Sequence, residues 1–344
     1  MKFSEIYGHE GVKNILKRAI DTNTIGHAYI FEGTDGCGKF SLSLSFASML
    51  MCENTENGEM CGECQSCRMC LAGSHPDVRI ITNGLYDPSK KSASILTDTI
   101  RQMKQEIYLK PSVSDRKVYI IPDADTMNIS AQNSLLKILE EPPLYCTIIM
   151  IAQNSGAFLD TVLSRANLIK FSPLESSDIK KYLIEEKKAN KEKANIISLM
   201  SAGSIGKAIE ILESEETFLL RDEVFVHLTN LLNPAYKNMF NFIKFLKSNK
   251  NLYKDISEVL KSFFSDLLKT SDAKTTLPLL CPDKRECLDA YCKKLGKGAA
   301  LELLEILLEY SAGIDQNVNY SASVQMMIID FWEVIHDRSN RNKI

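Results

Sequence analysis

His27-Ala28-Tyr29-Ile30-Phe31-Glu32-Gly33-Thr34-Asp35-Gly36-Cys37-Gly38-Lys39-Phe40-Ser41 is the stretch that decides the fold of this chain. It reads as a buried strand, a glycine-rich loop and the start of a helix that continues over 42–51. Gly33, Gly36, Gly38 and Lys39 satisfy all but the last position of a Gly-x4-Gly-Lys-Ser/Thr phosphate loop, in which backbone amides cradle phosphate and the lysine neutralises its charge. The last position, whose hydroxyl ligates magnesium, is Phe40. Ser41 comes one residue late, a rotation of roughly 100° on a helix. ATP or ADP binding is therefore retained as an expectation, with magnesium placement damaged.

Working outward, apolar runs at 28–31, 78–81, 118–121, 147–151 and 168–171 alternate with helical patterns at 42–51, 96–108 and 131–139. Strands separated by helices of this length predict right-handed crossovers and a mainly parallel sheet covered by helices. Glu140-Glu141-Pro142-Pro143 stops the last of those helices, because a residue before proline is pushed out of the helical region. Seven of the ten prolines lie at or before Pro173, and the composition shifts there. Three short helical segments follow at 177–188, 191–201 and 204–213, then longer ones at 215–232, 235–247, 252–268, 297–310 and 321–335, with a loop over 270–283. The expected organisation is an α/β domain over 1–172, a small helical domain over 173–213 and an all-helical domain over 214–344.

An ATPase of this type needs acidic residues immediately after an apolar strand, one for magnesium and one to polarise water. Here Lys117-Val118-Tyr119-Ile120-Ile121 is followed by Pro122, Asp123, Ala124 and Asp125. Proline offers no ligand and aspartate reaches less far than glutamate. Together with Phe40 this predicts slow or absent hydrolysis.

Five of the ten cysteines fall between positions 52 and 70, as Cys52-x8-Cys61-x2-Cys64-x2-Cys67 with Cys70 three residues on. Acidic and polar neighbours such as Glu53, Glu59, Glu63 and Gln65 rule out a small apolar core. A Cys-x2-Cys turn places two sulfurs on one ion, so a structural Zn2+ stapling an insertion over 52–70 is expected, with five candidates for four positions. The formal charge of −3, from 41 bases and 44 acids, argues against a stand-alone DNA binder. No run approaches the ~18 apolar residues of a membrane helix, and the N-terminus lacks the apolar core of a signal peptide, so no membrane association and a cytoplasmic location are expected.

The order of His27-Ala28-Tyr29, the phosphate loop, the cysteine cluster, His75-Pro76-Asp77, the run from Ser130 to Pro143 (SAQNSLLKILEEPP) and Ser164-Arg165 resembles the bacterial DNA polymerase III clamp-loader subunits, which are AAA+ proteins. The resemblance spans 1–210. Phe40 and Pro122 make it most similar to the delta-prime branch, whose own site is commonly degenerate. The resemblance implies that Cys52, Cys61, Cys64 and Cys67 hold the zinc, leaving Cys70 outside. It further implies that Arg165, after Ser164, acts in trans as an arginine finger; the family's Ser-Arg-Cys reads Ser164-Arg165-Ala166 here. Gln153, Asn154 and Lys207 stand where relatives carry phosphate sensors.

From this follow the expected function and partners: a hetero-oligomer with delta and gamma/tau clamp-loader subunits, joined through C-terminal collar helices, that loads a sliding clamp on primed DNA. Two rivals differ in class. In a gamma/tau-like active ATPase, Asp123 or Asp125 would replace the missing acid; a zinc-dependent nucleic-acid module would show salt-dependent DNA binding by the isolated chain.

Overall fold

The computed structural model describes residues 2–55, 58–82, 85, 95, 97–271, 279–315 and 318–336. By its contacts the chain divides into two compact units, Met1–Glu186 with Ala202–Lys207, and Lys187–Ser201 with Ala208–Ile344.

The first unit is built on a five-stranded sheet of β1 (Ala28–Glu32), β2 (Val78–Ile80), β3 (Lys117–Ile121), β4 (Cys146–Ala152) and β5 (Asn167–Lys170). All neighbours are parallel, in the order β2-β3-β4-β1-β5. Its helices are α1 (Glu10–Asp21), α2 (Lys39–Met51), α3 (Gln65–Leu71), α4 (Thr97–Ile107), α5 (Ile129–Glu140), α6 (Asp160–Leu163) and α7 (Ser176–Glu185).

Strand periodicity divides the core into two layers, because successive side chains point to opposite faces. Tyr29, Phe31, Ile149 and Ile151 pack on one face with Leu16 of α1 and Leu42 and Phe46 of α2. Ala28, Ile30, Ile148 and Met150 face the other way, toward Ile100 and Met103 of α4 and Leu135 and Ile138 of α5. A strand buried on both faces must be apolar throughout, which is why these runs show no polar alternation. Phe46 is fully buried, and truncating it to alanine would cost about 3–5 kcal/mol. The result is a parallel sheet covered by helices on both faces, as the sequence predicts.

The second unit contains no strand among the described residues. Its helices are α8 (Lys191–Met200), α9 (Ile205–Glu213, whose first turn belongs to the first unit), α10 (Glu215–Leu231), α11 (Tyr236–Ser248), α12 (Tyr253–Thr270), α13 (Arg285–Lys294), α14 (Lys297–Asp315) and α15 (Tyr320–His336). Val224, Phe242, Phe263, Tyr291, Leu303 and Phe331 belong to its single core. Arg221, itself buried, forks onto Asp283 at 2.7 and 2.8 Å. The sequence pattern does not show α13, and half of the expected 270–283 loop, residues 272–278, lies outside the described residues. No described helix is long and apolar enough to cross a membrane.

Candidate functional site

The loop 33–38 leaves the C-terminal end of β1, an inner strand between β4 and β5. Gly36 and Gly38 take φ of +69° and +102°, a left-handed backbone that glycine adopts without strain. The Gly33 N–H donates to Ala152 O of β4 at 3.1 Å. Lys39, only 6% exposed, donates through Nζ to Gly33 O at 2.6 Å and Thr34 O at 2.7 Å, so its ammonium closes the loop on itself. The Gly36 N–H, one of the amides a phosphate would use, donates to Asp35 Oδ1 at 2.8 Å.

The loop is also held from outside. Gly36 O accepts from the Gly206 N–H at 3.0 Å, and a Cβ on Gly36 would lie 2.4 Å from Ser204 Oγ. Lys207 donates its N–H to Ser204 Oγ at 3.1 Å, which completes that turn. His9 donates from Nε2 to Cys37 O at 2.7 Å, and burial lowers the imidazole pKa. No sequence spacing announces these contacts, because they join residues far apart along the chain, 9 with 37 and 36 with 206.

The groups that would hold magnesium are missing or engaged. Phe40 is 40% exposed at the helix start and carries no ligand atom. Asp123 is exposed and left-handed at φ +49°, and its carbonyl accepts from Thr126. Asp125 Oδ2 accepts the Gln153 N–H at 2.8 Å, tying the segments after β3 and β4 together. Asn154 accepts from Gly156 N at 2.8 Å, the bond of a turn-forming residue. Phe40 thus supplies no magnesium ligand and Asp125 is engaged, while the Asp123 carboxylate is exposed and the loop backbone retains a phosphate cradle's form.

The sulfurs of Cys52, Cys61, Cys64 and Cys67 all lie within 4.8 Å of one another. Cys52 caps the end of α2, Cys64 caps the start of α3 and Cys67 lies in its first turn. Backbone N–H groups converge on the cluster: Cys61 N on Cys52 Sγ at 3.3 Å, Cys64 N on Cys61 Sγ at 3.4 Å, and Cys67 N on Cys64 Sγ at 3.3 Å. Hydrogen bonds from the Cys64 and Glu63 backbones bring the Cys61 thiol down to about 6, whereas burial raises Cys52 and Cys67. A tetrahedral ion 2.3 Å from each sulfur requires sulfurs about 3.8 Å apart. Cys61 Sγ and Cys67 Sγ are 3.9 Å apart. The donor set can therefore hold a metal ion.

Two anchors of this insertion escaped the sequence reading. Glu59 accepts from Phe3 N at 2.8 Å and from Lys17 Nζ at 2.8 Å, binding the insertion to the N-terminus. Asp77, 1% exposed, accepts the N–H groups of Ser112, Val113 and Ser114 at 2.7, 2.8 and 3.0 Å. His75 Nδ1 accepts from Asp77 N at 3.1 Å, so its Nε2 faces Ser114 Oγ at 3.2 Å as a donor. Ser114 Oγ lies 3.3 Å from Ser66 Oγ of α3. His75-Pro76-Asp77 is therefore a latch between the cysteine insertion and the loop before β3.

Arg165 follows Ser164, the C-cap of α6, immediately before β5. Its Nη1 donates to Thr161 O at 3.0 Å and Ser164 Oγ at 3.2 Å, and its Nη2 lies 3.1 Å from Glu140 Oε1. In the parallel register Tyr29 of β1 stands opposite Asn167, so the first residue of β5, two after Arg165, lies four residues below Gly33, about 13 Å along the strands. The phosphate loop thus leaves the C-terminal end of β1, whereas Arg165 stands before the N-terminal end of the adjacent β5.

The family model described as DNA polymerase III, delta subunit, matches residues 8–175. DNA polymerase III subunit delta' of Bacillus subtilis (strain 168) is 33% identical over 236 residues, 68% of each chain. Subunit tau of the same bacterium is 27% identical over 288 residues, covering 78% of this chain and 50% of its own length. Subunit delta' of Pseudomonas aeruginosa is 32% identical over 139 residues, 40% of this chain and 41% of its own. Among solved structures, a DNA polymerase III gamma subunit-related protein from Thermotoga maritima aligns with a TM-score of 0.44 at 17% identity, covering 94% of this chain and 99% of its own.

Proposed function

The chain belongs to the delta-prime family of DNA polymerase III clamp-loader subunits, and from that premise we propose that it hydrolyses little or no ATP itself and lends Arg165 to the ATP site of a neighbouring subunit. The supporting observation is that Arg165 precedes the N-terminal end of β5 while its own phosphate loop leaves the C-terminal end of β1, and that its guanidinium rests on Thr161, Ser164 and Glu140 rather than on that loop. In this reading the arginine serves a site across a subunit interface. There a planar, permanently charged guanidinium stabilises charge on the transferring phosphate, an effect worth roughly 10³–10⁵ in rate for arginine fingers generally.

In this reading the neighbours are delta and gamma/tau subunits, and the assembly opens a sliding clamp and places it on primer-template DNA in the cytoplasm. Residues 1–172 form the AAA+ domain, 173–213 its lid, and the helices of 214–344 the collar that joins the ring. Cys52, Cys61, Cys64 and Cys67 hold a structural Zn2+; when bound, the ion supplies a fourfold cross-link to the insertion. A near-neutral chain is adequate, because DNA affinity can come from the complex.

Engaged Lys39, Asp35 and Asp125 favour a silent site over an active gamma/tau-like one. Measuring ATP turnover by the reconstituted complex with Lys39→Ala separates the two. Turnover within about twofold of wild type is expected; a collapse, together with Lys39-dependent hydrolysis by the isolated chain, would identify an ATPase.

A further inference from the structure

The net charge of −3 is not spread evenly along the chain. Between Glu223 and Asp255 it carries Lys237, Lys244, Lys247, Lys250 and Lys254 and no acid. α11 runs through the middle of this stretch, with Met239, Phe242, Ile243 and Leu246 buried in the core of the second unit. At roughly 100° per residue, Lys237, Phe240, Asn241, Lys244, Lys247 and Ser248 fall on the opposite face, and all six are exposed. Phe240, 61% exposed, therefore shares its face with lysines at i−3, i+4 and i+7. Tyr236, 67% exposed, stands one turn before it.

The positive charge on this face is uncompensated. Among the described residues no carboxylate forms an ion pair with Lys237, Lys244, Lys247 or Lys250. The flanking helices bring Glu223 of α10 and Asp330 and Glu333 of α15, and Asp330 accepts from the Tyr310 hydroxyl of α14 at 2.7 Å. The lysines rest instead on neutral groups. Lys247 Nζ donates to Gln325 Oε1 at 2.8 Å, and Lys250 Nζ lies 5.7 Å from the centre of the Tyr320 ring. Both partners belong to the first half of α15, so the cations follow the seam between α11 and α15. At the other end of that seam the Tyr236 ring leans on Trp332, with ring centres 5.6 Å apart.

We propose that this face of α11 binds single-stranded nucleic acid, with phosphates on Lys237, Lys244, Lys247 and Lys250 and unpaired bases stacked on Phe240 and Tyr236. Lysines are point charges that accept phosphate whatever the sequence, and every base offers a π-face, so charge and stacking recognise the strand without reading base edges. An acidic peptide satisfies the lysines but leaves the two rings without planar partners. A duplex keeps its bases stacked on one another. Phosphates and base faces are common to DNA and RNA, so single strands of either should bind alike. The site lies within the second unit and does not depend on the role proposed for Arg165.

The test is fluorescence anisotropy with the full chain and a fluorescein-labelled 20-nucleotide oligothymidylate, titrated at several salt concentrations. Saturable binding is expected, with the logarithm of affinity falling against that of salt at a slope of about −0.7 for each phosphate neutralised. Combining Lys237→Gln with Lys244→Gln should make the slope shallower by about 1.4, whereas Phe240→Ala should weaken binding about tenfold and leave the slope unchanged. Unlabelled oligouridylate of the same length should compete as well as oligothymidylate, and duplex DNA much less well. All three substitutions sit at exposed positions, and unchanged melting curves verify that the variants fold. Absence of saturable binding, or a slope indifferent to the lysine pair, would overturn the proposal. So would full affinity in Phe240→Ala, or displacement by a polyglutamate peptide or by duplex DNA as effective as that by single strands.

Discussion

Arg165 and Glu140 form an ion pair at 3.1 Å that joins the turn after α6 to the last residue of α5. Both side chains are partly exposed, so the pair is worth at most about 1 kcal/mol. Such a contact orients the guanidinium in the free chain. Under the proposed function Glu140 is a parking position from which a stronger acceptor takes the arginine.

Replacing Glu140 by alanine tests this weakness. The Glu140→Ala chain should melt within a few degrees of wild type, a loss below ~1 kcal/mol, and its reconstituted complex should retain ATP turnover. A large loss of stability would mean that the pair belongs to the fold rather than to a mobile arginine.

The four-sulfur cluster predicts one metal equivalent per chain, measured by elemental analysis. Cys61→Ser or Cys64→Ser should lose the metal and lower the melting temperature, because the insertion has few apolar residues to hold it. Cys70→Ser should retain both. Equal metal loss in Cys70→Ser would show that the fifth cysteine competes for the ion.

Asp77 predicts an acid-labile latch. Burial raises its pKa, but the N–H groups of Ser112, Ser114 and Val113 outweigh it, leaving the folded value below the ordinary one. Its contribution is therefore complete above the unfolded-state value near ~4 and is lost as pH falls through the folded value. Asp77→Ala should cost about 1–3 kcal/mol near neutrality by leaving buried amides unpaired. It should also flatten the decline of melting temperature below about pH 4.

Gly36→Ala should separate the phosphate loop from the 204–206 turn, since the added Cβ meets Ser204 Oγ at 2.4 Å in a left-handed backbone. Lower melting temperature and faster amide exchange at Gly206 are the expected readings. Pairing it with Ser204→Gly should restore part of the loss.

How much of this was legible in sequence follows from how far each feature reaches along the chain. The five strands were, because a doubly covered parallel sheet demands uninterrupted apolar runs such as Ile148-Ile149-Met150-Ile151. The phosphate loop and the cysteine cluster were, because both are local spacings. The α13 segment was not: it buries little beyond Leu288 and Tyr291, and its charged residues mask any apolar stripe. Nor were the partners of the site residues. Glu140 lies 25 residues from Arg165, Gln153 lies 28 from Asp125, and Ser112 lies 35 from Asp77; only the folded sheet joins them.

The most direct test of the central claim is the ATPase rate of the reconstituted clamp loader carrying Arg165→Ala in this chain alone, with assembly verified by gel filtration. The account predicts an intact complex with turnover reduced at least about tenfold at the neighbouring site, and no rescue by Arg165→Lys. Unchanged turnover in the intact complex would contradict it.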